Sequence, residues 1–415
     1  MSQYLCHRRA TCRLCKSSEL ISVVQLTPTP PANAFVGELS TNQTQPVFPL
    51  ELFFCETCHH VQLLDVVNPE YLFRDYVYVS GTSPSFIRHF EEYAVSIIKC
   101  FQPKPRALVV DIGSNDGTLL TFFQGRGQTV LGIDPAISIA KAASDAGIET
   151  WPEFFDTRTA KRILAEKRRA AVVSANNVFA HADDLAGMVD NIRAILAPDG
   201  VFVFEVSYLG DVYEQILFDT IYHEHVAYHS VGPLQKFFSA HGLDLFKVSR
   251  VASHGGSIRG MVQITGGPWR SDGSVEGLIA HERALKIDRA ETWSNYGEKI
   301  ASVGERLGRL LSEIKNEGKS VAGFGAPAKA TTLMYHFGLS HDIIDFIADD
   351  SRLKQGLYSP GLHIPVVSAG EIYQREPDYL IILAWNFARP IMDNHKKFQE
   401  GGGKFIVPLP QVEIY

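Results

Sequence analysis

A hydrophobic run that ends in an acidic, glycine-containing turn constrains this chain more than any other feature. The run at 108–112 contains Asp111, the turn at 113–117 begins and ends with glycine, and a segment with a helical pattern follows. A second hydrophobic run, at 130–133, ends at the carboxylate of Asp134. A strand, a glycine turn, a helix and a second strand ending in an acid form the nucleotide-binding half of a doubly wound α/β fold. A lone glycine turn would be weak evidence, but this coupled pair predicts a nucleotide-cofactor site.

The acidic side chains of the turn indicate which cofactor it suits. A phosphate site uses bare backbone N–H groups and often a lysine, whereas Asp111 and Asp116 would repel phosphate. Carboxylates suit a cofactor with a positive charge and ribose hydroxyls, such as S-adenosylmethionine. We therefore predict a methyltransferase-type S-adenosylmethionine site. Its predicted residues are Asp111, Gly113, Asn115, Asp116, Gly117, Asp134, Asn176 after a later strand and Ser83 before the first helix.

Four of the six cysteines form two Cys-x-x-Cys pairs, Cys12 with Cys15 and Cys55 with Cys58. Two such pairs have the spacing of a tetrahedral thiolate zinc site, which leaves no position for water and is therefore structural. The alternative is two unrelated pairs. The Pro- and Thr-rich loop between them, at 27–31, favours zinc because such a segment needs a staple to fold.

Hydrophobic runs and helical patterns alternate along the rest of the chain, which predicts mostly parallel sheets. We expect an α/β protein with a zinc-binding module at 1–66, an S-adenosylmethionine methyltransferase domain with a helical lead-in at 67–295, and a Rossmann-like domain at 296–415. A long helix is predicted at 296–317, at the start of the last domain.

The third domain has a glycine turn of its own. Gly323 and Gly325 follow a hydrophobic run, and Asp349 comes 26 positions after Gly323. This pattern imitates a dinucleotide fingerprint, but one such match is weak. It fits NAD(P), the nucleotide part of a substrate, or a tight turn without a ligand.

The densest group of chemically active side chains lies at 219–225, after the fourth strand of the middle domain. His225 could accept a proton, Glu224 could orient it, and Tyr222 could donate a hydrogen bond to an enolate oxygen. One alternative is a metal site formed by His223 and His225, with His229 as a third ligand. Another is a polar loop whose histidines are all satisfied by hydrogen bonds. His181, past the third strand, could face the methyl group or merely end its strand.

A glycine-rich segment near residue 255 is a further candidate for substrate binding. The glycines beside His254, among them Gly255, allow close approach of a ligand, and Arg259 could pair with a diphosphate. Taken alone, the segment would be an ordinary turn.

Charge and hydropathy narrow the class of partner. With 415 residues, a net charge of −7 and a pI near 6.1, the chain is unlike a general nucleic-acid binder. No apolar run reaches the length of a membrane span, and the N-terminus lacks the apolar core of a signal peptide. We expect a cytoplasmic protein, a monomer rather than an oligomer, that acts on a small molecule.

Together these motifs resemble the S-adenosylmethionine-dependent C-methyltransferases of nucleotide-linked 4-keto deoxysugars, notably those that methylate C3. The resemblance covers essentially the whole chain. It implies that the C-terminal domain helps to hold the nucleotide sugar, of dTDP type by family default, and that His225 is the base. It places Tyr222, Glu224 and Tyr76 around the sugar. The family usually has Asp or a similar residue where this chain has His223, so either His223 or His225 could take the proton.

The expected substrate-binding residues lie in the last two glycine segments and near them. They are His254, Gly255, Arg259, Gly323, Lys329 and Asp349. In the expected reaction a C4 ketone acidifies C3, His225 removes the C3 proton, and Tyr222, Tyr76 or His181 stabilises the enolate. An NAD(P)-dependent ketosugar reductase that uses the second glycine turn is the alternative, and a non-catalytic zinc-bearing binding protein is a third.

Overall fold

The computed structural model describes residues 5–74, 81 and 84–415, without the side chains of Pro84, Ser85 and His254. Within these parts of the chain, no helix has both the length and the apolar character needed to cross a membrane.

The N-terminal module is a small antiparallel unit. Its elements are β1 (Cys6–Arg8), β2 (Leu20–Thr29), β3 (Phe48–Cys55), β4 (Val61–Leu63), β5 (Asp65–Val67) and α1 (Pro69–Phe73). Strands β2, β3 and β4 form one sheet, while β1 pairs with β5. The fourth strand of the larger sheet comes from far along the chain, and it is β11 (Ala227–Tyr228).

The middle domain is built on a seven-stranded sheet. Its helices are α2 (Pro84–Phe101), α3 (Thr118–Gln124), α4 (Ile137–Asp145), α5 (Thr157–Glu166), α6 (Leu185–Ile195), α7 (Leu209–Glu214) and α8 (Val231–Ala240). Its strands are β6 (Leu108–Ile112), β7 (Thr129–Ile133), β8 (Thr150–Trp151), β9 (Ala170–Asn176), β10 (Leu196–Ser207), β12 (Leu243–Val251) and β13 (Ser257–Ile264). The strand order is β12-β13-β10-β9-β6-β7-β8, and β13 alone runs against its neighbours.

The position of β6 at the centre of the sheet explains why its sequence is hydrophobic. All five residues of β6 are buried, as expected of a parallel strand with helices on both faces. The order of connection reverses between β6 and β9, and open α/β sheets bind ligands in the crevice at such a point. The carboxyl ends of β6, β7 and β9 therefore gather the predicted cofactor residues at one edge.

The C-terminal domain repeats this logic with six strands. Helix α9 (Ser274–Leu285) packs into the core of the middle sheet. The helices of the C-terminal domain are α10 (Ala290–Asn316), α11 (Ala330–Phe337), α12 (Glu371–Arg375), α13 (Ala388–Asn394) and α14 (Lys396–Glu400). Its strands are β14 (Val321–Phe324), β15 (Ile347–Asp349), β16 (Val366–Ser368), β17 (Tyr379–Ile382), β18 (Lys404–Val407) and β19 (Glu413–Ile414). The order is β16-β15-β14-β17-β18-β19, parallel except for β19, so the order of connection reverses between β14 and β17.

The three parts share their hydrophobic cores. One core joins the N-terminal sheet, the helix α10 and the C-terminal sheet, and the side chains of Trp293 and Tyr296 are fully buried in it. A second core joins one face of the middle sheet to the cysteine-bearing turns of the module. The predicted α/β class with two doubly wound sheets is confirmed. The long helix begins earlier than predicted, at Ala290, so the expected boundary between 295 and 296 falls inside it.

Candidate active site

A cavity of about 610 Å³ lies where the three parts meet. The module contributes Asn33 and Phe73, and the middle domain contributes the ends of β6, β7 and β9 together with Thr220, Tyr222, Glu224 and His225. The C-terminal domain closes the cavity with Lys329 and Lys354, among other residues. A site of this kind can hold two ligands, a donor on the middle sheet and an acceptor between the domains.

The first glycine turn is tied to the second strand by a carboxylate. Asp134 Oδ2 accepts a hydrogen bond of 2.8 Å from the backbone N–H of Asn115, and Oδ1 accepts one of 2.9 Å from Ala136. Gly113 has a φ of +70°, and a Cβ there would lie 2.2 Å from the Val178 side chain. The turn can therefore approach a ligand closely, as the predicted cofactor loop requires.

Asp111 is the buried acid of this turn. Its side chain is almost fully buried, and Ser174 Oγ donates a 2.6 Å hydrogen bond to its Oδ1. Burial raises the pKa of Asp111 to about 7, and this outweighs the Ser174 hydrogen bond, which lowers the pKa. A cation bound in the cavity would stabilise the ionised form, so Asp111 suits the positively charged end of a donor.

The remaining predicted cofactor residues differ in whether they line the cavity. Asp116 Oδ1 accepts from the backbone N–H and the hydroxyl of Thr118, the first residue of α3, while its Oδ2 accepts from the N–H of Gly81 at 2.8 Å. Gly117 has a φ of +77° and precedes α3, but it is not among the residues that line the cavity. Asn176, at the end of β9, does line it. The predicted Ser83 lies outside the described residues.

Four rings form a continuous stack along one wall. The ring centroids lie 5.5 Å apart between Phe73 and His181, 5.2 Å between His181 and His225, and 4.1 Å between His225 and Tyr222. Burial and the neighbouring His225 lower the pKa of His181 well below its ordinary value, so His181 is neutral at physiological pH. The stack fixes the plane of the His225 ring.

The hydrogen bond of His225 assigns its tautomer. Nδ1 lies 2.7 Å from the carbonyl oxygen of Thr220. A carbonyl can only accept, so neutral His225 carries its proton on Nδ1 and its basic lone pair on Nε2. This is the form required of a general base.

The neighbouring histidines face elsewhere. His223 is fully buried, its Nε2 donates to the carbonyl oxygen of Phe48 at 3.2 Å, and burial lowers its pKa to about 4. His229 is also fully buried and stacks on His60 with centroids 5.6 Å apart. Neither lines the cavity, and among the described residues the only cluster with metal-ligand geometry is the cysteine quartet. The arrangement does not support a histidine metal site.

Glu224 is held by a residue that the sequence did not single out. Its Oε1 accepts a 2.8 Å hydrogen bond from the Nδ2 of Asn33, which lies four positions after the end of β2. The segment at 27–31 was expected to be a loop, but its first three residues belong to that strand. Both side chains line the cavity. The pair lies 191 positions apart in sequence, so no local pattern indicates it.

The second glycine turn supplies cationic side chains. Lys329 Nζ lies 3.5 Å from Asp219 Oδ2 and 4.5 Å from the centre of the Trp385 ring. Trp385 Nε1 donates to the same Asp219 oxygen at 2.6 Å. Lys354 Nζ donates to the carbonyl oxygen of Ala326 at 2.7 Å. Burial lowers the pKa of both lysines, so an anionic ligand beside them would stabilise their charged forms.

Other predicted substrate residues lie away from the cavity lining. Asp349 accepts from the backbone N–H groups of Ala326 and Ser351, at 2.6 and 2.7 Å, so it braces its own turn as Asp134 does. Gly323 lies within β14 and abuts Leu383.

The segment around residue 255 also serves the fold rather than the cavity. Arg259 Nε donates to Glu205 Oε1 at 2.6 Å, and its guanidinium lies over the Tyr93 ring, so its charge is already paired. Gly255 packs against Leu217. The side chain of His254 and all of Tyr76 lie outside the described residues.

The four paired cysteines converge on one point. Their sulfur atoms all lie within 4.8 Å of one another, with Cys12–Cys58 and Cys15–Cys55 separations of 3.6 and 3.5 Å. Tetrahedral zinc with bonds of about 2.3 Å needs sulfurs about 3.8 Å apart, so the donor set fits. Each pair sits in the same turn, closed by a hydrogen bond to the carbonyl of Cys12 or Cys55 from the residue four positions on.

Three family models match successive parts of the chain. They are "Putative zinc binding domain" at 12–73, "Methyltransferase domain" at 86–248 and "C-methyltransferase C-terminal domain" at 252–410. Over 403 residues the chain is 35% identical to C-methyltransferase NovU of Streptomyces niveus, covering 97% of this chain and 96% of that one.

Two solved methyltransferase structures each cover less than half of this chain. Magnesium protoporphyrin IX methyltransferase of Synechocystis, with bound SAH, is 14% identical with a TM-score of 0.33, covering 43% of this chain and 82% of that one. An S-adenosylmethionine-dependent methyltransferase of Clostridium acetobutylicum is 11% identical with a TM-score of 0.36, covering 43% and 92%.

Proposed function

Because this chain belongs to the family of S-adenosylmethionine-dependent C-methyltransferases, we propose that it methylates C3 of a nucleotide-linked 4-keto deoxysugar. It is a methyltransferase that takes S-adenosylmethionine as its cofactor and contains a zinc-binding domain. The substrate, the methylated carbon and the roles of individual residues are our proposal. The observation that carries it is the tautomer of His225 in a cavity shared by the donor turn and the C-terminal domain.

The first step of the proposed mechanism is removal of the C3 proton by a base. A ketone at C4 makes the C3 hydrogen acidic, and His225 Nε2 accepts that proton while Nδ1–H remains bonded to the carbonyl of Thr220. The electron pair of the C3–H bond moves into an enolate. Neutral His181 adds no positive charge beside the imidazolium that forms, so it does not oppose protonation of His225.

The enolate needs a hydrogen-bond donor and an aligned electrophile. The Tyr222 hydroxyl is the proposed donor to the enolate oxygen, and Tyr76 is a second candidate from the sequence. S-adenosylmethionine, held by the donor turn, would supply an electrophilic methyl group for C3 and would leave as S-adenosylhomocysteine. His225 then returns its proton to solvent, so the whole reaction releases one proton.

The donor turn and the C-terminal domain orient the two ligands. Asp111 is proposed to face the ammonium group of the donor, with Asp134 at its ribose. Lys329 and Lys354 are proposed to face the diphosphate of the nucleotide sugar, because they are the cations of the C-terminal domain that line the cavity. Binding through the nucleotide leaves the sugar ring beside Glu224 and His225, where alignment lowers the barrier.

Calorimetry and isotope exchange test the proposal in sequence. We expect S-adenosylhomocysteine to bind and NAD(P) not to bind, since Asp134 of the first turn lines the cavity whereas Asp349, the acid of the second turn, does not. We then expect deuterium from heavy water to enter C3 of a dTDP-4-keto-6-deoxysugar. Tight NAD(P) binding with hydride transfer would favour the reductase, and a 4-ketosugar methylated at oxygen would contradict the enolate route.

A further inference from the structure

We propose that Arg13 and Asp183 form a positioning pair that couples the zinc turn to the loop carrying His181, and so sets the ring stack around His225. The proposal rests on the proposed function, in which His225 is the base. It gives the zinc-binding module a part in the geometry of the active site in addition to its own folding.

Arg13 lies between two of the zinc-site cysteines and is fully buried. Its Nη1 donates to Gln62 Oε1 at 3.1 Å and to the carbonyl of Leu63, both on β4. Its Nη2 lies 3.1 Å from Asp183 Oδ1, an ion pair whose angle falls short of a hydrogen bond. One guanidinium therefore joins the zinc turn, β4 and the loop at 178–184.

Asp183 receives two more contacts from the same module. Arg9 Nη1 lies 3.0 Å from Asp183 Oδ1 and 3.3 Å from its carbonyl oxygen, and His7 Nε2 lies 3.5 Å from Oδ2. Asp183 lines the cavity two positions after His181. No other carboxylate of the described chain forms an ion pair with Arg9 or Arg13. The loop at 178–184 is thus held through ion pairs between Asp183 and basic residues of the zinc-binding module.

The other side of the stack is held by the same strand. Ala180 O accepts from the backbone N–H groups of Val226 and Ala227, at 3.0 and 3.2 Å. Val226 follows His225 directly, its carbonyl oxygen accepts from Leu63 N–H at 3.0 Å, and β11 pairs with β4. Strand β4 therefore helps to position both histidines of the stack. It contacts the segment after His225 through β11, and it contacts the loop of His181 through Arg13 and Asp183.

Asp183→Asn tests the pair because it removes the charge at nearly constant size. We expect kcat for methyl transfer to fall about tenfold or more, since small misplacements near reacting groups have large effects on rate. We expect the zinc content, the KM for the sugar nucleotide and the affinity for S-adenosylhomocysteine to stay within about twofold of wild type, because the groups that bind these ligands keep their contacts. Asp183→Glu, which retains a carboxylate, should restore most of kcat.

Arg8→Gln is the matched control. Arg8 belongs to the same module and forms an ion pair of 2.7 Å with Asp65, but both of its carboxylate partners lie within the module. We expect its kcat to equal that of wild type. An equal loss of kcat in Arg8→Gln and Asp183→Asn would overturn the proposal, because it would show a general effect of module stability.

A spectroscopic measurement separates this proposal from the identity of the substrate. In the substrate-free protein, the Cε1–H resonance of His225, identified by its loss in His225→Asn, carries the ring-current shift of the stacked rings. We expect that resonance to move in Asp183→Asn and to stay in place in Arg8→Gln, even if no 4-ketosugar is turned over. An unmoved resonance in Asp183→Asn, or wild-type kcat, would refute the coupling.

Discussion

Replacing His225 with asparagine separates its proposed role as a base from its role in packing. The asparagine amide can still donate to the carbonyl of Thr220, which His225 Nδ1 bonds at 2.7 Å, but it has no basic nitrogen. A positioned general base contributes about 10²- to 10⁴-fold to a rate. We therefore expect kcat for C3 exchange and for methyl transfer to fall by that factor, or about 3–5 kcal/mol of activation free energy.

The stability effect should be smaller than the kinetic one. The substitution removes two ring contacts, to His181 and Tyr222, at centroid distances of 5.2 and 4.1 Å. Each aromatic pair contributes about 0.5–1.5 kcal/mol, so we expect the free energy of unfolding to fall by about 1–3 kcal/mol. A folded variant that binds S-adenosylhomocysteine normally yet loses exchange would show that the base itself is missing.

The assay is deuterium entry at C3 of a 4-ketosugar nucleotide, followed by NMR, with His223→Asn as the control. His223 lies two positions away, buried under Phe48 and outside the cavity lining, so its loss should leave kcat close to wild type once the protein is folded. C3 exchange by His225→Asn within tenfold of wild type, or an equal loss of exchange in His223→Asn, would exclude His225 as the base.

Three further predictions concern charge and metal. Burial raises the pKa of Asp111 from 3.8 to about 7, so the folded cofactor-free protein holds a proton that the unfolded chain releases between these values. Its stability should therefore fall as the pH rises from 4 to 7, by up to about 4 kcal/mol, and urea unfolding of Asp111→Asn should lack that part of the fall. Lys329→Met should raise the KM for the sugar nucleotide about tenfold and lower Tm, because Asp219 is left buried without its cation. Adding Asp219→Asn should restore Tm but not the KM, and recovery of both would contradict a role in binding. Removal of zinc with a strong chelator under denaturing conditions should prevent the module from refolding. The refolded protein should then show a lower Tm and a lower kcat, and the addition of zinc alone should restore both.

Local patterns indicated which residues would meet at the edge of the middle sheet. Strands of a parallel sheet end at one edge, so Asp111, Asp134 and Asn176 could be expected together from their positions after three hydrophobic runs, and the structure brings all three to the cavity. The zinc site could also be predicted, since each Cys-x-x-Cys turn places two sulfurs within four residues. The structure brings the four sulfurs together.

The acceptor half depended on contacts that no local pattern reveals. Asn33 and Asp183 reach the site through pairings across 191 and 170 positions or more. Arg259 was expected at a diphosphate, but β13 pairs antiparallel with β10 in a register that sets Arg259 opposite Glu205, and the pair neutralises itself. Sheet register of this kind is decided by the whole fold rather than by the segment.

The position of the transferred methyl group distinguishes methylation at C3 from methylation at oxygen or at another carbon. The wild-type protein would be incubated with S-adenosylmethionine labelled with ¹³C in its methyl group and a dTDP-4-keto-6-deoxysugar, and the product examined by ¹³C NMR. We predict a labelled methyl carbon bonded to C3 of the sugar ring beside an intact C4 carbonyl. A labelled methyl group on oxygen, or on any other carbon, would contradict the proposed reaction.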